Sequence, residues 1–387
     1  MAADPLTIGF PYCADRFGGS NASSLVLARA LDDAGFRIRI LAHGEGRALD
    51  EAAKLGLETV RLPALSRVPG YARPDRFRLA QMFAFHNCRA AIGELRLDVI
   101  HTNDLGMLRT WAAPALSAGA TLIAHWRSNF QKSWSVEAGL RVARAVIAVS
   151  HYSREKLPHW VQEKTTVEYN PFGLSFSAEG KSAARARVRE QLGLPADAAI
   201  IGTFGNHIVR KRTHVLADVL HALTETADRR PIYGLACGAE AAPHDTLLHE
   251  KIASYGLEQR LLRPGFVRPV EEWISACDVV LAPAIHEPLA RSVLEAQALE
   301  VPAVVSTDGG LRELIEDGRT GILCDPYDLD DWIFATLAIL NDGELADTMA
   351  RAARQVVSKL EPKRHAERIA AIYRTATGRT TADKEAA

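Results

Sequence analysis

The sequence predicts an α/β protein of two doubly wound domains, each a parallel sheet with helices on both faces. Three observations predict it. Short apolar runs of strand length alternate with amphipathic runs of helix length along most of the 387 residues. A polar stretch rich in Ala, Ser, Arg and Glu, residues 174–197, divides that alternation into two series. Glycine pairs, Gly18-Gly19 and Gly309-Gly310, stand between a strand and the helix that follows it.

In order, Leu6–Phe10 reads as a buried strand, Pro11–Ser20 as a loop, and Asn21–Ala34 as a helix that Gly35 ends. Arg37–Ala42, Asp98–Thr102, Thr121–His125 and Ala145–Ser150 read as further strands, with helices at Leu105–Ala118 and near Tyr152–Leu157. Val167–Tyr169 leads into the turn Asn170-Pro171-Phe172-Gly173. These make a first domain, residues 1–173. A linker with a short helix, Ala183–Leu192, fills 174–197. The second domain, 198–361, has strands at Ala199–Phe204, Ile232–Gly238, Arg260–Leu262, Val279–Ala282 and Pro302–Ser306. Helices at Thr213–Thr224 and Asp245–Tyr255 belong with them, and Asp328–Asp331 reads as a helix start. Pro362–Ala376 reads as a last helix, and 377–387 as a frayed polar tail. Ligands of such sheets sit at the carboxyl ends of the strands, so a cleft between the domains is the expected site.

Composition sets limits. The chain is 48% hydrophobic and 24% charged with a formal net charge of -1, which gives no bulk attraction to nucleic acid. Five widely spaced cysteines fit reduced thiols and a cytoplasmic setting. No apolar stretch reaches the roughly 18 residues of a membrane span. Arg67–Arg96 holds a loop with Pro69, Gly70 and Pro74, then a helix with Phe77, Leu79, Met82, Phe83 and Phe85, and Arg73, Arg76 and Arg78 at its start. It reads as a core helix with a charged flank, with peripheral membrane contact as the alternative.

The most informative segment is His286-Glu287-Pro288-Leu289-Ala290-Arg291-Ser292-Val293-Leu294-Glu295. An apolar run precedes it and a helix former, Ala296–Leu299, follows, so it reads strand, loop, helix. Two carboxylates stand eight positions apart, about 12 Å if helical. Between them a helix N-terminus offers N–H groups to an anion. A ligand with hydroxyls at both ends and phosphates in the middle fits: a nucleotide sugar.

Other segments each leave two readings. Gly18-Gly19-Ser20 suits a phosphate or a plain turn. Gly205-Asn206-His207-Ile208-Val209-Arg210-Lys211-Arg212 puts three cations at a strand's carboxyl end, suiting a diphosphate or merely a solvated loop. His125 ends a strand and could bond a sugar or serve the fold, as could His101. Among 13 histidines no HExxH or H-x3-H spacing occurs, so no zinc site is expected.

Taken in order, the Gly-Gly loop, the strand-end histidine, Tyr169-Asn170-Pro171-Phe172-Gly173, the Lys211 loop, Glu-x7-Glu, Thr307-Asp-Gly-Gly-Leu-Arg-Glu and Gly318-Arg-Thr-Gly resemble the retaining GT-B glycosyltransferases, family 4 in particular. The resemblance covers roughly residues 6–375 and is most specific over 278–325. It implies two Rossmann-like domains and transfer of a sugar from a UDP-, GDP- or ADP-linked donor to a glycan, lipid or small-molecule acceptor, without metal or other cofactor. Glu287 would hold donor-sugar hydroxyls and Glu295 the ribose. Backbone N–H groups of Leu289, Ala290, Arg291 and Ser292 would meet the diphosphate. Lys211 would stabilise the leaving phosphate, Gly18 and Gly19 would close over it, and His125 would lie near the transferred sugar. Two positions depart from the pattern. Asn206 stands where arginine is common, with Arg210 as a compensating cation, and Pro288-Leu289-Ala290 replaces Gly-Phe-Gly. The alternatives are a nucleotide-sugar epimerase or a non-catalytic nucleotide-sugar-binding protein.

Overall fold

The computed structural model describes residues 5–13, 18–63, 74–129, 133–172, 178–226, 230–240 and 245–379. The chain divides into unit 1, Met1–Pro171 with Leu360–Ala387, and unit 2, Phe172–Lys359.

Unit 1 holds a seven-stranded sheet of β1 (Thr7–Cys13), β2 (Arg37–His43), β3 (Thr59–Arg61), β4 (Val99–Thr102), β5 (Thr121–Trp126), β6 (Ala145–Ala148) and β7 (Thr165–Val167). Their order is β3-β2-β1-β4-β5-β6-β7, parallel throughout. Unit 2 holds β8 (Ala199–Phe204), β9 (Ile232–Cys237), β10 (Leu261–Gly265), β11 (Val279–Ala282), β12 (Ala303–Ser306) and β13 (Ile322–Cys324), in the order β10-β9-β8-β11-β12-β13 and again parallel. All six residues of β8 and all four of β11 are buried, as strands covered on both faces must be. Each sheet reverses its winding once, between β1 and β4 and between β8 and β11. The carboxyl ends at those points are where doubly wound sheets bind ligands.

The last helix, Pro362–Thr377, belongs to unit 1. It buries His365, Ala366, Ile369, Ala370 and Tyr373, a stripe at helical spacing, in the core with Leu27, Leu31 and Phe10. In unit 2 the core gathers Val279 and Leu281 of the sheet with Leu216, Leu220 and Trp332 of the covering helices. Asp328 caps the helix Leu329–Asn341 by accepting from the Asp330 N–H, the helix start expected there.

Three expectations need correcting. Residues 178–191, expected mostly as linker, form a helix of unit 2. It buries Ala184 and Val188, and Arg185 donates to the carbonyls of Ser275, Ala276 and Cys277. β1 continues past Phe10, with Pro11 opposite Leu41 and Cys13 opposite His43. Proline there suggested a loop, but buried Tyr12, bonded to Ser24 Oγ at 2.5 Å, holds the chain extended. The helix Pro74–Glu94 buries Ala84, Cys88, Ala91 and Ile92, yet leaves Met82 68% and Phe83 52% exposed, so it is a core helix on one face only. Pro69, Gly70 and Arg73, the side chains of Arg76, Phe77, Arg78 and Leu79, residues 174–177 and the tail beyond Arg379 lie outside the described residues. Among the described residues no helix is long and apolar enough to cross a membrane.

Candidate functional site

In unit 2, two loops leave the sheet beside its reversal point. After β8 the chain turns at Gly205, φ +134°, and winds through the short 3-10 turn Val209–Lys211. A Cβ on Gly205 would stand 3.3 Å from Lys211 Cε, so glycine lets the lysine fold back across the strand end. After β11, the Ile285 N–H donates to the Arg210 carbonyl at 2.8 Å, which ties the two loops together. A third loop, after β12, then pins Glu287. The Gly310 N–H donates to the Glu287 carbonyl at 2.8 Å. Gly309, at φ +77°, lies so close that a Cβ there would be 2.6 Å from that oxygen. Backbone contacts from both neighbouring loops therefore fix the main chain that carries Glu287.

That carboxylate is buried between two cations. Its Oε2 lies 3.0 Å from Lys211 Nζ and contacts the Arg210 guanidinium. Eight positions on, buried Glu295 accepts from Arg291 Nε at 2.6 Å. Burial raises the Glu295 carboxyl above its ordinary value, against the pull of Arg291. Burial, and then the Arg210 charge, push the Lys211 ammonium down to about 7, against the attraction of Glu295. Arg210, Lys211 and Arg291 thus share one cluster with two carboxylates, leaving an excess of one cation if all are ionised. Beside it starts the helix Arg291–Ala298, whose N-cap Ala290 offers no side-chain cap and whose first turn carries no acid. A positive helix end and surplus cations together favour an anion. Leu289 and Ala290 are buried and Ser292 is half-buried in that first turn.

The helix begins at Arg291, so Glu287 stands in the loop and Glu295 on the helix, as the strand-loop-helix reading expects, and the rise of about 12 Å for eight helical residues does not apply between them. Both carboxylates are also paired with cations, which a ligand would have to displace or share. Asn206 is exposed, and its Oδ1 accepts from the Ala239 N–H at 3.4 Å, so it braces the loop against the end of β9.

In unit 1, Gly18 and Gly19 lie exposed at the start of the helix Gly19–Asp33, following β1. His125, near the end of β5, is 2% exposed. Its Nδ1 lies 3.1 Å from Arg127 Nη2 and 3.1 Å from His101 Nε2. His101 Nδ1 in turn lies 2.6 Å from Tyr373 Oη on the last helix. Arg127 also donates to Asn103 Oδ1 at 3.2 Å and to Asn170 Oδ1. Burial, then the Arg127 charge, hold both His101 and His125 well below the usual histidine range. His365 stands 6.3 Å from His125, ring to ring, and burial pushes it down to about 3.

The family model for glycosyl transferases group 1 matches residues 184–356, and that for Glycosyltransferase Family 4 matches residues 17–176. The chain belongs to the family 4 glycosyltransferases. It is 31% identical over 204 residues to the D-inositol 3-phosphate glycosyltransferase of Corynebacterium urealyticum, a match covering 51% of this chain and about half, 47%, of that protein. The enzyme of the same name from Thermobispora bispora is 26% identical over 393 residues, covering 94% of this chain and 91% of that one. Among solved structures, Anabaena HepE in complex with UDP and glucose superposes with a TM-score of 0.80 at 21% identity, covering 96% of this chain and all, 100%, of that one. The two sheets with their flanking helices are thus the GT-B fold.

In this glycosyltransferase, sequence reasoning found the unit 2 cluster but not the partners of His125. Arg127 and Tyr373 carry no motif, and Asn170 shows only as part of the Asn-Pro-Phe-Gly turn; Tyr373 shows only as a position on the buried stripe of its helix. A separate trio in unit 2, Glu240, Asp245 and His249, brings possible metal-ligand atoms within 4.8 Å of one another. The Arg263 guanidinium already sits there, 3.2 Å from Glu240 and against His249. A cation of the protein's own thus answers that charge.

Proposed function

We propose that the protein is a retaining, metal-independent glycosyltransferase that moves a sugar from a nucleoside diphosphate sugar to an acceptor hydroxyl in bacterial glycan or glycoconjugate synthesis. The observation that carries this reading is the buried Glu287 carboxylate held by the half-buried Arg210 and Lys211, beside the uncapped N-terminus of the helix Arg291–Ala298. Glu287 binds donor-sugar hydroxyls and Glu295 the ribose. The N–H groups of Leu289, Ala290, Arg291 and Ser292 receive the diphosphate. Lys211 and Arg210 take the place of a divalent ion on the leaving phosphate. Asn206 supports their loop. In unit 1, Gly18 and Gly19 meet phosphate and His125 meets sugar. The leaving phosphate oxygen accepts the acceptor's proton on the face where transfer occurs, so no protein nucleophile is needed. The HepE complex with UDP and glucose supports a uridine nucleotide as the first donor to try.

The acceptor is a glycan, a lipid or a small molecule. Exposed Met82 and Phe83 support peripheral contact with the inner face of a membrane, which flotation with anionic vesicles tests. For the reaction, transfer is measured with UDP-, GDP- and ADP-sugars in the presence of a chelator, for the wild type and Glu287→Ala. Transfer by the wild type alone supports the reading. Unchanged transfer by Glu287→Ala overturns the role of Glu287. Donor conversion without acceptor marks an epimerase, and donor binding without turnover marks a binding protein.

A further inference from the structure

We propose that Tyr373, His101 and Arg127 act as positioning residues that lock His125 as a neutral imidazole with its proton on Nε2, so that His125 serves a ligand as a hydrogen-bond donor and not as a base. The ligand's identity, an oxygen of a sugar or its acceptor, rests on the function proposed above. The lock itself does not.

The direction of every bond follows from one residue. A guanidinium only donates. Arg127 Nη2, 3.1 Å from His125 Nδ1, therefore requires a lone pair on that nitrogen. A neutral His125 must then carry its hydrogen on Nε2. His101 Nε2, also 3.1 Å from His125 Nδ1, faces the same lone pair and must donate to it. Neutral His101 then has a bare Nδ1, which accepts the Tyr373 hydroxyl hydrogen at 2.6 Å. The three donations run one way: Tyr373 O–H to His101 Nδ1, His101 Nε2–H to His125 Nδ1, and Arg127 N–H to the same nitrogen. Phe10 stacks on His101 with ring centroids 4.7 Å apart and fixes its plane. Both rings are kept neutral by burial and by the Arg127 charge. At the end of the series, the buried His125 Nε2 has no hydrogen-bond partner among the described residues. A buried N–H without a protein partner is costly, and a ligand oxygen would satisfy it. As a fixed donor, Nε2 cannot also accept the acceptor's proton, which agrees with leaving that step to the phosphate oxygen.

The test is the imidazole nitrogen spectrum of the full chain labelled with 15N-histidine, with His101 and His125 assigned from the signals lost in His101→Asn and His125→Asn. Expected are a pyrrole-type Nε2 and a pyridine-type Nδ1 for both rings, with neither titrating between about pH 6 and pH 8. Either ring in the Nδ1–H form, or titrating in that range, overturns the proposal. Two variants sharpen it. Arg127→Gln, whose amide can accept as well as donate, should add a second population with Nδ1–H on His125. Arg127→Lys, still an obligate donor, should keep the single form. Equal spectra for these two variants would contradict the part given to Arg127. A protein that shows the expected nitrogens but no sugar transfer would overturn the proposed function and leave the lock standing.

Discussion

The two units hold their chemistry in opposite ways. In unit 2, charges meet charges: Glu287 against Lys211 and Arg210, and Glu295 against Arg291, beside an uncapped helix end. In unit 1, neutral groups form a directed line from Tyr373 through His101 to His125, with one arginine setting its sense. The first arrangement attracts an anion and can exchange partners with it. The second holds one hydrogen in one place. A transfer between phosphate and hydroxyl needs both: electrostatic stabilisation of a leaving group, and orientation of neutral oxygens.

The comparison breaks most easily at the charges. Lys211→Ala should lower transfer by about 100- to 1,000-fold, the usual loss for a group that stabilises developing charge. It should also weaken UDP binding, read by calorimetry. Next comes Gly309→Ala. Its Cβ would meet the Glu287 carbonyl at 2.6 Å and φ +77° disfavours a side chain. Thermal unfolding should show a loss of more than about 1 kcal/mol, with donor affinity falling alongside because Glu287 moves. A third effect is on pH. Lys211 stands at about 7 in the free protein, so its ammonium is present below that value and lost above it. A bound diphosphate favours the ammonium. UDP affinity should therefore fall as pH rises through 7, by at most about tenfold per unit, with proton uptake on binding at pH 8. Calorimetry in buffers of different ionisation enthalpy measures that uptake. The smallest effect on donor binding belongs to unit 1. Tyr373→Phe should leave UDP affinity unchanged while costing about 1–3 kcal/mol of stability, because buried His101 Nδ1 loses its donor.

The same contrast explains what could be read from sequence. Strands β8 and β11 and the helix Leu105–Ala118 have the expected bounds, because buried apolar runs and a capped helix are local patterns. The strands β3, β7 and β13, three residues each at the sheet edges, stand out in no sequence pattern; half-exposed edge strands carry little apolar signal. In the candidate site, Glu287 and Glu295 lie in one segment and stand out. Lys211 joins them from a loop whose charges are visible, though its pairing with Glu287 spans 76 positions (287 minus 211) and is made by the fold. The His125 lock draws on residues 101, 125, 127 and 373, and the Tyr373–His101 bond spans 272 positions. No periodicity or spacing joins a helix at one end of a chain to a strand near the other; only packing does. The glutamate segment has the loop-then-helix form expected of it: the helix starts at Arg291, behind a proline and a buried Leu-Ala pair, with Glu287 in the loop and Glu295 on the helix.

The most direct measurement is UDP binding by calorimetry at pH 6.5 in a chelator, for the wild type and Lys211→Ala. The wild type should bind without any divalent ion, and Lys211→Ala should bind at least about tenfold more weakly, the loss expected when a charge-assisted contact to phosphate is removed. Binding that appears only with added magnesium, or equal affinity in the two proteins, would contradict the assignment of the leaving phosphate to the protein's own cations.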